Sequence, residues 1–503
     1  MRKLLALIAL LTALCVALGG CVLRGPQAQS AGEISLPEPS DEPENMILGE
    51  SVSGAMSEVT FYRAAQDFSG FTTYTQTLRE DAGVSLPEAA VDALLAAGSR
   101  ASSDVRLLDF EYSRGTATVN LSIDAQSAAS PQELLALETS IGNTLLGIDG
   151  VRGVNVLVGG ISAGCCRLPV GVQTQITQSV TAAYAQLQAE SERLKQPGAE
   201  PIERAALLYF PSLDGQWLLP ELRAVSSGTD GFAASLIDAL KLGPLDERSA
   251  IASIPEGAEL MEEGPTVESL GTGERVLTLN FSSALANYLA FSGLDVWQLA
   301  GSITLTACSF LPELDAVRIS VNGEPITMCT IGDTILQFPD GLMRRRDFSV
   351  RVGSVATLYL LDDADRLSAV EHPVSMRAAL SPKSLLTELF SFTGVESGYR
   401  LPLMTPVYPE DLLGVQVVGG VARVNLSASF YRSCQNLSPR AERDLVYAMV
   451  NTLCALDGIR AARFYIEGRA ADTLAGSVYL RSVLLPNPGL VAATPQPTPT
   501  PES

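Results

Sequence analysis

Val119-Asn120-Leu121-Ser122, Leu279-Asn280-Phe281-Ser282 and Val424-Asn425-Leu426-Ser427 are one pattern read three times. Each copy is followed by a helical stretch and then by a strand that closes near a glycine. Residues Ala117, Val119 and Leu121, like Leu277, Leu279 and Phe281, alternate with polar neighbours, the period of a half-buried strand. A unit that recurs at this spacing marks a tandem array rather than one large domain. No cluster within the pattern has the residue types of a catalytic centre.

Working outward, each copy opens on a short apolar, aromatic strand: Val59-Thr60-Phe61-Tyr62, Leu207-Leu208-Tyr209-Phe210 and Thr357-Leu358-Tyr359-Leu360. A first helix follows, with Val91, Leu94 and Leu95, then Phe232, Leu236, Ile237 and Leu240, then Leu385, Leu386 and Leu389 at helical spacing. Gly98, Gly243 and Gly394 stand where those helices should stop. The second helix starts at Ser130-Pro131-Gln132-Glu133, a cap, a first-turn proline and a capping-box glutamate. Ser438-Pro439 repeats the start, and Ser292 with Asp295 has the same three-residue spacing. Buried faces are expected at Leu134, Leu137, Ile141 and Leu145, at Leu299, Ile303 and Ala307, and at Leu445, Met449, Leu453 and Leu456. Asp149-Gly150-Val151 leading to Gly159, Leu314-Asp315-Ala316-Val317 to Gly323, and Asp457-Gly458-Ile459 to Gly468 supply the closing strands. The fold class is therefore α/β (α+β): three tandem β-α-β-β-α-β repeats, each a small mixed sheet with two helices on one face.

The N-terminus predicts a location. Arg2 and Lys3 precede the uncharged run Leu4 to Leu18, too short to span a membrane but of the length of a signal-peptide core. Leu18-Gly19-Gly20-Cys21 resembles a bacterial lipobox, which implies cleavage before Cys21 and acylation of its thiol; the alternative is an ordinary leader with an incidental cysteine. Residues 22–57, rich in Ser, Gly, Pro and Glu, read as a disordered tether. Cleavage before Cys21 would remove two positive charges and no acid, taking the net charge from −22 to −24. So acidic a surface repels phosphate backbones and argues against nucleic acid as a partner. Arg344-Arg345-Arg346, beside the Pro339-Asp340-Gly341 turn, reads as a solvated hairpin flank.

Chemistry fails on inventory. Gly160-Ile161-Ser162-Ala163-Gly164 matches the nucleophile-elbow string, and His372, the one histidine, lies downstream as a hydrolase order requires. Yet Ser162 ends a repeat instead of opening a helix, and His372 precedes Pro373 in an expected loop two repeats away. One histidine and no C-x-x-C leave no metal site, and Gly271-Thr272-Gly273 lacks the third glycine and the strand of a dinucleotide fingerprint. No cofactor is expected. Cys165 and Cys166 are adjacent, with Cα atoms about 3.8 Å apart, too close for the usual disulfide. Cys308 with Cys329 is the better candidate pair; Cys434 and Cys454 flank a helix roughly 22 Å long and need the preceding loop to fold back.

The opening strands, Leu240-Lys241-Leu242-Gly243-Pro244, Ser253-Ile254-Pro255-Glu256-Gly257, the Asn-Phe-Ser strand, Asn143-Thr144-Leu145 and Asn451-Thr452-Leu453 resemble the GerMN domain of sporulation and spore-germination lipoproteins. The resemblance covers about residues 57–160, 205–325 and 354–470. It implies a small α/β fold similar to ring-building motifs of secretion and sporulation channels, and a non-catalytic role in assembling envelope complexes. Three copies depart from a tandem of two in the family's sporulation lipoprotein.

The expected layout is a signal peptide at 1–20, an acidic tether at 21–56, repeats at 57–162, 205–330 and 354–485, a linker helix within 163–204, a hairpin linker at 331–353 and a disordered Pro/Thr tail at 486–503. The linker helix is placed at Thr174 to Gln196, with Ile176, Val180, Tyr184 and Leu187 on one stripe. The expected function is that of a non-enzymatic lipoprotein held by Cys21 on the outer face of a bacterial cell membrane. Its expected partners are envelope or sporulation-complex proteins or further copies of itself, met through exposed sheet edges or faces. A ligand-binding lipoprotein serving a transporter or sensor is the alternative.

Overall fold

The computed structural model describes residues 47–81, 84–98, 104–127, 130–227, 231–261, 264–393, 398–403 and 406–492. The leader, Cys15, Cys21, Gly394 and residues 493–503 of the tail lie outside them. Three units of the expected class follow one another. The first holds β1 (Gly49–Ala64), β2 (Phe71–Asp81), α1 (Leu86–Ala96), β3 (Leu107–Ser113), β4 (Thr116–Leu121), α2 (Pro131–Leu146) and β5 (Gly153–Val158). After α3 (Val180–Leu194) comes the second, with β6 (Glu203–Pro211), β7 (Leu218–Ser226), α4 (Gly231–Leu242), β8 (Thr266–Ser269), β9 (Arg275–Phe281), α5 (Leu285–Ser292), α6 (Val296–Phe310) and β10 (Ala316–Val321). The third holds β11 (Gly353–Leu361), β12 (Leu367–Ser375), α7 (Pro382–Ser391), β13 (Leu412–Val418), β14 (Val421–Leu426), α8 (Pro439–Cys454) and β15 (Ala461–Ile466).

In every unit a three-stranded mixed sheet has one antiparallel and one parallel pair, β3-β4-β5, β8-β9-β10 and β13-β14-β15. The strand motif lies at its centre. The opening strand instead pairs antiparallel with an added strand, β1 with β2, β6 with β7 and β11 with β12, so the element order gains a hairpin. The second helix packs on both the opening strand and the last strand and holds hairpin and sheet together.

Local signals place the helices well. Ser130 Oγ accepts from the Glu133 N–H and Glu133 Oε2 from the Ser130 N–H, a closed capping box after which Pro131 begins α2. Ser438 caps α8 through Oγ, which accepts from the Ala441 N–H, with Pro439 next and no glutamate to close the box. In the middle unit Ser292 ends α5 and Asp295 starts α6, with its N–H bonded to Gln298 Oε1 at 2.7 Å, so the expected Ser292 cap is corrected by three residues. Gly98 and Gly243 follow α1 and α4 at φ +80° and +82°. The linker helix is shorter than expected: it starts after Ser179, and Ile176 is exposed.

Each unit has its own apolar core, but the segments between units are built into them. Leu168, Val172, Ile202, Phe338, Met343, Phe348 and Val352 all belong to the middle core. The stretch 331–353 and both ends of 163–204 are therefore built into the second unit rather than being spacers, while α3 packs on α2 of the first unit through Val180 and Leu187 against Leu135 and Ala136.

Two terminal expectations are corrected. Residues 49–56 are strand, not tether: Gly49 to Ser53 run parallel to β13, Gly49 opposite Gly414 and Ser53 opposite Val418. Asn425 Nδ2 donates to Ile47 O at 2.9 Å, and the Glu50 carboxylate accepts from Ser381 Oγ at 2.8 Å and from the Lys383 N–H at 3.2 Å, which caps α7. At the other end, residues 487–492 pack on the third unit: the Asn487 N–H donates to Asn451 Oδ1, and Val491 bridges to Leu367.

Candidate functional site

The three-fold motif is consumed by folding. Asn120, Asn280 and Asn425 each accept, through Oδ1, the N–H of a glycine just past the last strand: Gly160 at 2.8 Å, Gly323 at 2.9 Å and Gly468 at 2.8 Å. Those glycines and the residues before them, Gly159, Asn322 and Glu467, all have left-handed φ, the backbone of a tight primed turn. The first copy thus turns at Gly159-Gly160, one residue beyond the expected glycine. The motif residue after each Asn also serves: Leu121, Phe281 and Leu426 accept through their carbonyls from the N–H of Gly159, Asn322 and Glu467. A second three-fold contact ties helix to hairpin, since Thr144, Thr306 and Thr452 accept through Oγ1 from the N–H of Tyr62, Tyr209 and Tyr359, each at 3.0 Å.

The hydrolase string is a junction. Ser162 is buried, with its N–H bonded to Cys308 O and its carbonyl to the Glu313 N–H, so it joins the first unit to the second. His372 lies in β12 rather than in a loop, opposite Ala356, with its ring edge-on to Phe392 at 5.3 Å. Burial lowers its pKa and keeps the imidazole neutral. Among the described residues no hydrogen bond joins Ser162 to His372. The cysteines resolved are free thiols. Cys308, Cys434 and Cys454 are pushed up to about 12 and Cys329 to about 11, each by burial first, so they are protonated and inert at neutral pH. Among the described residues no group of acids, histidines or cysteines could hold a metal ion, and no helix is long and apolar enough to cross a membrane.

What sequence reasoning missed is a polar cluster between the first two units. The arginine run is not a solvated flank: Arg346 is exposed, but the Arg345 side chain is only 4% exposed. Its guanidinium pairs with Glu111 of β3 and donates to Ser309 Oγ at 2.6 Å, while Tyr209 OH donates to Glu111 Oε2 at 3.2 Å. Burial raises the Glu111 carboxyl above the usual carboxylate range, against the pull of Arg345. Burial alone would lower Arg345, but Glu111 beside it holds the cation firmly charged. Tyr209 is pushed up to about 12 by burial. Every member is buried and satisfied, which suits a staple rather than a reacting group. Arg114 makes a second joint, bonding Asp246 of the second unit at 2.5 Å and Glu371 of the third at 3.4 Å. Only the pairing across 234 residues reveals the role of Arg345.

The candidate association surface is what these joints leave open. The outer edge of each last strand is covered by the chain as it returns: Gln173 pairs with Val154, Leu342–Met343 with Val317 and Arg318, and Leu484 with Ala462. The first edge of the third sheet is filled by residues 49–53. By contrast all four residues of β8 are exposed. In the same unit α5 presents Tyr288 and Phe291, the latter 94% exposed, and Leu242 is 83% exposed. Solvated rings of this kind are unusual on a surface that only faces water.

A family model described as "Germane: Sporulation and spore germination" matches residues 60–163, 207–327 and 357–472. A comparison with curated proteins finds no match. Among solved structures, the tandem GerMN domains of the sporulation protein GerM from Bacillus subtilis are 16% identical, covering 57% of this chain and 100% of that one at a TM-score of 0.23. The first GerMN domain of that protein is 21% identical over 26% of this chain and 96% of its own, TM-score 0.22. A putative lipoprotein from Clostridium perfringens is 22% identical over 21% and 76%, TM-score 0.14.

Proposed function

The chain belongs to the Germane family of sporulation and spore germination, and on that premise we propose that it is a non-catalytic lipoprotein, held at the outer face of the cell membrane through Cys21, whose fused units bind other envelope or sporulation proteins. The observation that carries this reading is that the residues every unit shares, the Asn of the strand and the Thr of the second helix, spend their polar groups on the fold itself. Repetition of a scaffold without repetition of chemistry is what an assembly module needs. The joints through Arg345 and Arg114 fix the units against one another, so an edge or ring on the second unit is offered in a set orientation. The partner would add a strand at β8 or bury Phe291 in a pocket of its own.

The test is photo-crosslinking in the native cell during sporulation, with a photoreactive residue in place of Val267 on β8 or of Phe291. Adducts identified as envelope or sporulation proteins, or as a second copy, are expected. Uncrosslinked protein at a stage when the gene is required, together with an unaltered phenotype for Phe291→Asp at normal abundance, would overturn the reading.

A further inference from the structure

The thiols of Cys165 and Cys166 take no part in the motif bonds or in the joints between units. Their sulfurs lie 3.4 Å apart, one thiol donating to the other. Cys165 and Leu168 exchange both backbone hydrogen bonds, at 2.9 and 2.8 Å, and Cys166 and Arg167 between them have φ of +57° and +64°. That is a type I′ turn, whose central positions favour Asn and Gly, so Cys166 holds a backbone that side chains rarely adopt. Packing accounts for Cys165, which is buried with Leu135 and Ala136 of α2 and Val180 and Leu187 of α3. It does not account for Cys166, which is half-buried and whose carbonyl accepts from Ser191 Oγ of α3 at 2.9 Å. The turn sets a reachable thiol directly beside a hidden one.

We infer that Cys165 and Cys166 form a reversible vicinal disulfide by exchange with a low-molecular-weight disulfide, RSSR. The Cys166 thiolate attacks one sulfur of RSSR and releases RS−, leaving a mixed disulfide. Cys165 then loses its proton, and its sulfur attacks Cys166 Sγ and releases the second RS−. The pair is oxidised by two electrons, RSSR is reduced to two RSH, and the two protons the cysteines lose end on the two RS−. Burial, and then the hydrogen bond with Cys166, pushes the Cys165 thiol up to about 12. At pH 7.5 roughly 3 in 100,000 such thiols are ionised, but a nucleophile already in place acts at an effective molarity of about 100,000 M or more, which offsets that fraction.

The ring so closed runs only through the two residues and the peptide bond between them. A bridge that closes no longer loop adds little to stability. Cα atoms about 3.8 Å apart also lie below the usual range, which makes such a bridge easy to reduce. The site therefore follows the thiol–disulfide balance around the protein and does not staple the fold. This inference stands apart from the association surface on the second unit.

The experiment incubates the purified full chain with oxidised glutathione, quenches with acid, alkylates free thiols and maps tryptic peptides by mass spectrometry. The peptide Gly153–Arg167 holds both cysteines and no other. It should escape alkylation and weigh two hydrogens less than its reduced form, and dithiothreitol should restore two alkylatable thiols. In Cys165→Ser no thiol resolves the mixed disulfide, so Cys166 should accumulate with glutathione attached, whereas Cys166→Ser should leave Cys165 unmodified; circular dichroism checks that both variants fold. A wild-type peptide that stays doubly alkylated, one that accumulates a glutathione adduct, one joined to another cysteine peptide, or equal glutathione labelling of the two folded variants would each overturn the inference.

Discussion

Replacing Arg345 with Met should cost the second unit about 3–5 kcal/mol near neutral pH, the usual loss when one partner of a buried ion pair is removed. The magnitude follows from what remains. Glu111 would keep only the Tyr209 hydroxyl, in a site where both acid and base are almost wholly buried. Trp217 and Trp297, the two tryptophans of the chain, both lie in the second unit, so intrinsic fluorescence during urea titration reads this unit selectively. With a slope of about 2–3 kcal/mol per molar urea, a loss near 4 kcal/mol moves that midpoint by roughly 1.3–2 M. Glu111 already has a pKa raised by burial, and losing Arg345 raises it further. A raised folded-state pKa means stability is kept below the unfolded value and lost as pH rises through the folded one. The variant should therefore recover part of its loss on acidification toward pH 5 and be weakest above pH 7. The double variant Glu111→Gln, Arg345→Met should regain most of the stability, because no uncompensated charge is left. A loss below about 1 kcal/mol at pH 7.5, or one independent of pH, would refute the staple.

Three further outcomes are expected. Asn425→Ala should cost about 2–4 kcal/mol, since Asn425 is fully buried and serves both Gly468 and Ile47, while Asn280→Ala, at a half-buried site, should cost about 1 kcal/mol; urea unfolding ranks them, and an inverted order would contradict the geometry. Gly414→Ala puts a Cβ 2.7 Å from Ile47 O and 2.8 Å from Gly49 O, so residues 47–53 should leave the β13 edge, seen as new protease cleavage there with the rest of the chain intact; an unchanged digest would show that the edge tolerates the methyl group. Cys21→Ala should abolish metabolic lipid labelling and release the protein from membranes, whereas Cys15→Ala should change neither.

The added hairpin strands show why part of the fold was hidden. Phe71-Thr72-Thr73-Tyr74-Thr75 has the β-branched, aromatic composition of a strand and could have been found from it. Its counterparts carry Pro220 and Pro373, which demote a run in any reading by propensity, yet both sit in two-stranded hairpins whose outer edge needs no N–H. The expected sheet edges were only partly free, because Gln173, Leu342 and Leu484 return from stretches with no strand pattern of their own.

Helix faces, caps and the strand motif around each Asn were set within about fifteen residues of chain, by side-chain period and by donors and acceptors a few positions apart. Those signals are local, so the sequence by itself determined them, and with them the α/β class and the count of three units. The bonds from Asn to its glycine and from Thr to its hairpin Tyr instead cross 40 residues or more. The tertiary structure alone decided that Arg345 is buried on Glu111, that Gly49 to Ser53 complete a sheet some 360 residues away, and that the segments between repeats are built into the cores beside them. Each of these is a contact between groups that carry no mark of their partner. An arginine in a basic run reads the same whether water or a buried carboxylate faces it, and only the packed chain chooses between them.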